Sequence, residues 1–223
     1  MALTKFNYNS FDLTTAASKG LAFNSSANGF ETAAEGSMTL IKTLTASSDS
    51  TLSFVNGSSD VVLDSTYPIY KFEFINIHPA SDQANFKINF RDGGTAYDAT
   101  KTTTLFETLH YETGSGGTLR YEANNLDLAQ STSSQTISSF LSNDNDSSTN
   151  GTVYLYSPSS TTFVKHFMSI FQSNSSGGGA NSINQYGAGY CNVTAAIDGV
   201  QFAMSAGNID AGTFKMYGVG PKQ

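Results

Sequence analysis

The sequence predicts an all-β chain: an antiparallel two-sheet sandwich of jelly-roll type, preceded by an extended N-terminal arm. Three observations carry this. Aromatic and aliphatic residues alternate with polar ones at period two over 70–74, 86–90 and 163–171, the pattern of half-buried strands. Turn-forming clusters interrupt these runs about every ten residues, the spacing of a sandwich. The composition is poor helix material: 31 Ser, 25 Thr, 18 Asn and 20 Gly make up 94 of 223 residues. Ser, Thr and Asn compete with the helix backbone for hydrogen bonds, and Gly costs backbone entropy.

A chain of 223 residues fits one large β domain, or one domain with an arm. Its 16 Phe and 11 Tyr can build a sizeable core, so the polar composition does not imply disorder. Only 13% of residues are charged, against about a quarter in ordinary domains. A net charge of −7 with two arginines, Arg91 and Arg120, argues against nucleic-acid binding, which needs clustered cations. No apolar run is long enough to span a membrane as a helix. Residues 1–10 lack the basic start and apolar stretch of a secretory signal. The single cysteine, Cys191, excludes an intrachain disulfide.

The body begins near residue 38. Strands are expected at 38–44 and 50–55, joined by a Ser/Asp turn. The clearest is 67–77, where Tyr70, Phe72 and Phe74 face one way and Lys71 and Glu73 the other. Pro68 has no N–H to donate and belongs near that strand's start. Residues 85–90 repeat the alternation, with Phe86, Ile88 and Phe90 against Lys87 and Asn89. A long β-branched strand follows at 102–113, then a short return at 118–121. The stretch 123–150 is the least regular and leaves room for a short helix. Strands are expected at 152–156 and 163–171, the latter placing Phe163, Phe167 and Phe171 on one face and His166 on the other. The last three strands are 186–194, 197–204 and 213–219, with SAGNIDAG linking the final pair as a hairpin.

Residues 1–37 differ from the body. Phe6, Tyr8, Phe11, Phe23 and Phe30 occur singly among small polar residues, with no sustained period. Such a segment cannot build its own core. Two readings stand: an arm that docks on a partner through these five aromatics, or one that wraps its own domain. The docking reading is preferred, with 38–223 as the sandwich domain.

No residue pattern calls for catalysis. His78, His110 and His166 lack metal-ligand spacing. Cys191 reads as a small buried hydrophobe in a strand. None of the 31 serines lies in G-x-S-x-G. The six glutamates, 31, 35, 73, 107, 112 and 122, suggest no acid/base pair. The loop Asn143-Asp144-Asn145-Asp146 is oxygen-rich and could bind calcium, but it lacks the full loop motif. A sugar-binding surface stays in play, because tyrosines on a sandwich can stack on sugars even without tryptophan.

Three segments carry a resemblance: FEFINIHPASDQANFKINFRDGGTAYDATKTTT from Phe72, SSTTFVKHFMS from Ser159, and GYCNVTAAIDGVQFAMSAGNIDAGTFKMYGV from Gly189. They resemble structural virion proteins of tailed bacteriophages, especially phages of marine cyanobacteria. The C-terminal SAGNIDAGTFKMYG is the most specific piece, and the resemblance covers about residues 38–219. It implies a non-enzymatic virion component, a head decoration or a tail or fibre part, without catalytic residues, cofactor or metal. It also implies synthesis in the host cytoplasm and partnership with other virion proteins. A symmetric homo-oligomer, first a homotrimer, is the expected assembly. Binding of a host surface glycan is the alternative role. Residues 1–37 lie outside the resemblance, which suits an arm specific to one docking partner.

Overall fold

The computed structural model describes residues 21–23, 26, 29–32, 37–114, 116–121, 126–175 and 180–220. Among these residues there are strands and no helix. A small hairpin comes first, β1 (Leu21–Phe23) and β2 (Phe30–Thr32). The body then runs β3 (Met38–Asp49), β4 (Thr51–Val55), β5 (Ile69–Pro79), β6 (Ala84–Arg91), β7 (Lys101–Tyr111) and β8 (Gly117–Tyr121). It continues β9 (Gln135–Leu141), β10 (Thr149–Tyr156), β11 (Lys165–Ser175), β12 (Asn181–Cys191), β13 (Gly199–Met204) and β14 (Ile209–Val219).

These body strands form an antiparallel sandwich. The larger sheet has eight strands in the order β3-β14-β5-β10-β11-β12-β7-β8, and the smaller has four in the order β4-β13-β6-β9. The all-β, two-sheet expectation is what the structure shows.

The core lies where the two sheets face each other. In β5, Tyr70, Phe72 and Phe74 are buried, while Lys71 and Glu73 pair at 2.6 Å on the outer face. In β6, Phe86, Ile88 and Phe90 point inward. Phe74 is the hub. Its ring centroid lies 5.4 Å from Phe86, 5.2 Å from Phe171, 4.9 Å from Phe202 and 5.4 Å from Phe214. Most of these contacts are edge-on or tilted, the arrangement favoured by the ring quadrupole. Backbone approach is also tight: a Cβ on Gly218 would run into the ring of Tyr67.

Several expectations are corrected. SAGNIDAG, 205–212, is not a hairpin turn between paired strands. Its first half, 205–208, crosses between sheets and its second half already belongs to β14, because β13 pairs with β4 and β6 while β14 pairs with β3 and β5. The inward aromatics require this: Phe202 and Phe214 meet across the core at 5.7 Å. No helix forms in the described part of 123–150. Instead β9 pairs with β6 through shifted registers, and Phe140 adopts a positive φ of 57°. These irregularities erase a period-two signal. Phe163 does not join Phe167 and Phe171. It is 75% exposed and precedes β11, because Ser160 Oγ accepts its backbone N–H at 2.9 Å and holds a turn there. β12 begins at Asn181 rather than 186, since its first five residues hold one apolar side chain, Ile183, among polar ones and give no sustained alternation. Part of the arm is paired rather than extended, with Phe23 opposite Phe30.

Replacing the hub tests this packing. Phe74→Ala should destabilise the sandwich by about 3–5 kcal/mol, the range for emptying a buried aromatic site. A urea midpoint within error of the parent would show that the rings do not share one core.

Candidate functional site

Of the five docking-arm anchors, Phe6, Tyr8 and Phe11 lie outside the described residues. Phe23 and Phe30 stack at 5.0 Å across the β1–β2 hairpin, yet remain 70% and 41% exposed. The histidines are dispersed. His78 Nε2 donates to the backbone carbonyl of Asp144, 3.2 Å away, and Nδ1 lies 3.5 Å from the Asp210 carboxylate. His110 and His166 are exposed on the outer face of the larger sheet. Among the described residues no group of three or more His, Cys, Asp or Glu could hold a metal ion. In the 143–146 loop, Ser142 Oγ donates to the Asp144 carboxylate at 3.0 Å, so that acid serves the turn.

The feature that stands out is the outer face of the larger sheet. Cross-strand register aligns its outward residues into rows. One row runs Leu40–Tyr217–Lys71–Tyr154–Met168–Ala188–Thr104. The next runs Glu73–Thr152–Ile170–Tyr186–Phe106–Tyr121. On the other side, His166, Tyr190 and Thr102 are register partners. Phe106 stacks on Tyr186 at 5.0 Å, and His166 sits 6.0 Å from Tyr190. Ala188 and Thr104 are small, so the surface dips between these aromatic walls. One depression of about 410 Å³ is lined by Tyr156, His166, Met168 and Tyr190, and another of about 210 Å³ by Phe106, Ile170 and Tyr186. Both include Thr104, Met168 and Ala188. Met168 and Leu40 are 51% and 52% exposed. Proteins commonly use exposed apolar patches of this kind for contact with other molecules.

Beneath the band the interior is polar. Buried Glu107 accepts from Arg120 Nε at 2.8 Å and from Gln185 Nε2 at 2.7 Å, and Gln185 also donates to Ser139 Oγ at 2.6 Å. At the far end, Lys165, Cys191 and Lys101 form a cross-strand row on the inner face. All three are fully buried. Lys101 Nζ donates to Ser133 O at 2.8 Å and Lys165 Nζ to Val193 O at 2.6 Å. Burial pulls the Lys101 ammonium down to about 8, against opposing pulls from Cys191, Asp98 and Asp92. Burial likewise lowers Lys165 and pushes the Cys191 thiol up to about 12. Such a thiol stays protonated and has no nucleophile's character.

Sequence reasoning singled out neither lysine nor the band. In β7 both faces look plausible: Phe106 sits among threonines on one, Leu105, Glu107 and Leu109 on the other. The chain buries the second. Cys191 was placed inside a strand and instead ends one.

No family model, curated protein or solved structure matches the chain.

The buried row gives a pH signature. Lys101 titrates near 8 folded and 10.5 unfolded, so the unfolded state holds the extra proton between these values and stability rises with pH there. Cys191 titrates near 9 unfolded and 12 folded, so it subtracts stability above pH 9. Lys101→Met should flatten the rise between pH 8 and 9, leaving the part that Lys165 contributes. Cys191→Ala should steepen the profile above pH 9 relative to the parent. Urea midpoints from pH 7.5 to 10.5 read both, and three parallel profiles would contradict the buried row. Separately, Arg120→Ala should cost about 2 kcal/mol, the worth of hydrogen bonds to a buried charge.

Proposed function

We propose that the protein is a non-enzymatic structural component of a tailed-phage virion, a head decoration or tail or fibre part, attached through its N-terminal arm. The observation that carries this is the apolar band. The face is broad and shallow, with Lys71, Glu73 and Lys215 clustered where β5 meets β14 and aromatic and aliphatic side chains over β10–β12 and β7, which suits repeated contact between subunits better than chemistry on a small substrate. The resemblance over 38–219 supports the same role, with a virion location, other virion proteins as partners and a homo-oligomer, first a homotrimer.

The strand order supports a jelly-roll reading of the sandwich. The set β3-β14-β5-β10 opposite β4-β13-β6-β9 has the sheet-switching order of paired Greek keys. On this reading the β7–β8 and β11–β12 hairpins are insertions that widen one sheet. A second role, binding a host surface glycan, draws support from the tyrosines 154, 156, 186 and 190 on that face, since aromatic faces stack on sugar rings. Retention on a glycan array that Tyr190→Ala abolishes would favour it.

Deleting residues 1–36 tests the main reading. Residues 38–219 should stay folded with a similar melting temperature, while the truncated protein fails to join particles. Equal incorporation into virions would overturn the docking role of the arm. Loss of the fold would instead favour an arm that is part of its own sandwich.

A further inference from the structure

We propose that in the unassembled subunit residues 1–20 lie across the apolar band of their own chain, masking the face until assembly transfers it to a partner. This rests on the reading of residues 1–37 as a docking arm, and adds where that arm sits beforehand.

The first argument is position. The body starts inside the band. Met38, the first residue of β3, is in register with Val219 and through it with Ile69, and Ile69 pairs with Tyr156 of the larger depression. Leu40 opens the row that ends at Ala188 and Thr104. Met38 therefore enters the sheet at the end that carries the larger depression.

The second argument is reach. The row from Leu40 to Thr104 crosses seven strands, six steps of about 4.8 Å, or roughly 29 Å. The hairpin folds the chain back so that Leu21 lies opposite Thr32. Thr32 is six residues from Met38, at most about 20 Å of contour. Residues 1–20 can extend to about 68 Å, more than twice the width of the band. A tethered segment that spans its site so easily meets it at a high effective concentration, which favours the subunit's own arm over a neighbour's before subunits gather.

The third argument is chemistry. Laid out as an extended strand, Phe6 and Tyr8 would share one face about 6.8 Å apart, the spacing of adjacent side-chain rows along β12. One ring can enter each depression, on either side of Met168 and Ala188, and Phe11 can add a third contact. Covering the band also hides a surface that would otherwise invite aggregation. Exchange of the same segment between subunits is a low-cost route to an oligomer.

Photo-crosslinking tests this. The full chain carries p-benzoylphenylalanine in place of Met168, with a control at Lys87 on the smaller sheet. Labelled and unlabelled copies are mixed at low concentration before irradiation. Crosslinks from position 168 to residues 1–20 of the same isotopic label, absent from the Lys87 control, are expected. Crosslinks only between differently labelled copies would overturn the proposal, as would none to residues 1–20. In a second arm, Phe6→Ser/Tyr8→Ser/Phe11→Ser should raise binding of the dye 8-anilinonaphthalene-1-sulfonate several-fold at unchanged melting temperature. Unchanged dye binding would overturn it. So would an oligosaccharide held by the band of the full chain, since the face would then be open. A truncated protein that enters virions while the same-chain crosslink persists sinks the docking role alone. A missing crosslink with lost incorporation sinks only the masking.

Discussion

The larger sheet has eight strands and the sheet that covers it has four, and this mismatch shapes the rest of the molecule. Aromatic side chains close the half where the sheets face each other, around Phe74. Beyond that, no third layer of strands exists among the described residues to supply apolar cover. Side-chain hydrogen bonds do the closing instead. Thr103 Oγ1 donates to Gln135 Oε1 at 2.5 Å, and Gln135 Nε2 donates to Leu126 O at 2.7 Å. With the Glu107–Gln185–Ser139 chain they clamp β9 and the 126–134 segment onto β7 and β12. Buried polar groups cost little only when each finds a partner, which explains the irregularity of β9: its bends aim Gln135, Ser138 and Ser139 inward.

The sequence was legible where one face of a strand is solvated and the other meets aromatics. That holds for β5 and β6, whose alternation is clean because Lys71, Glu73 and Lys87 mark the wet side. It fails where the inner face is itself polar. In β7 and β12 the buried set contains Lys101, Glu107, Gln185 and Asn181, so hydropathy points at the wrong face or at none. Phe106, the one aromatic of β7 besides Tyr111, is an exposed part of the band. The 205–212 link failed for another reason. Turn chemistry reports a reversal of direction but not which sheet the chain re-enters, and that choice belongs to Phe202 and Phe214 meeting across the core. The band itself could not be read from sequence, because it is assembled by register across seven strands distant in the chain.

The inner and outer faces are linked through the backbone they share. Lys165 precedes His166, Lys101 precedes Thr102 and Cys191 follows Tyr190, so the buried row lies directly under the wall of the larger depression. The lysines, at the starts of β7 and β11, donate to the carbonyls of Ser133, just before β9, and Val193, just after β12. That service costs burial of two ammonium groups, which are far more expensive to desolvate than the carbonyls they serve. An apolar pair would be the more stable solution. What the lysines add is direction, since each fixes a loop to a strand end at one place. The same placement holds the strand ends whose outer residues, His166, Tyr190 and Thr102, flank the larger depression. The desolvation cost beneath the band and the shape of the surface above it thus belong to the same stretch of backbone.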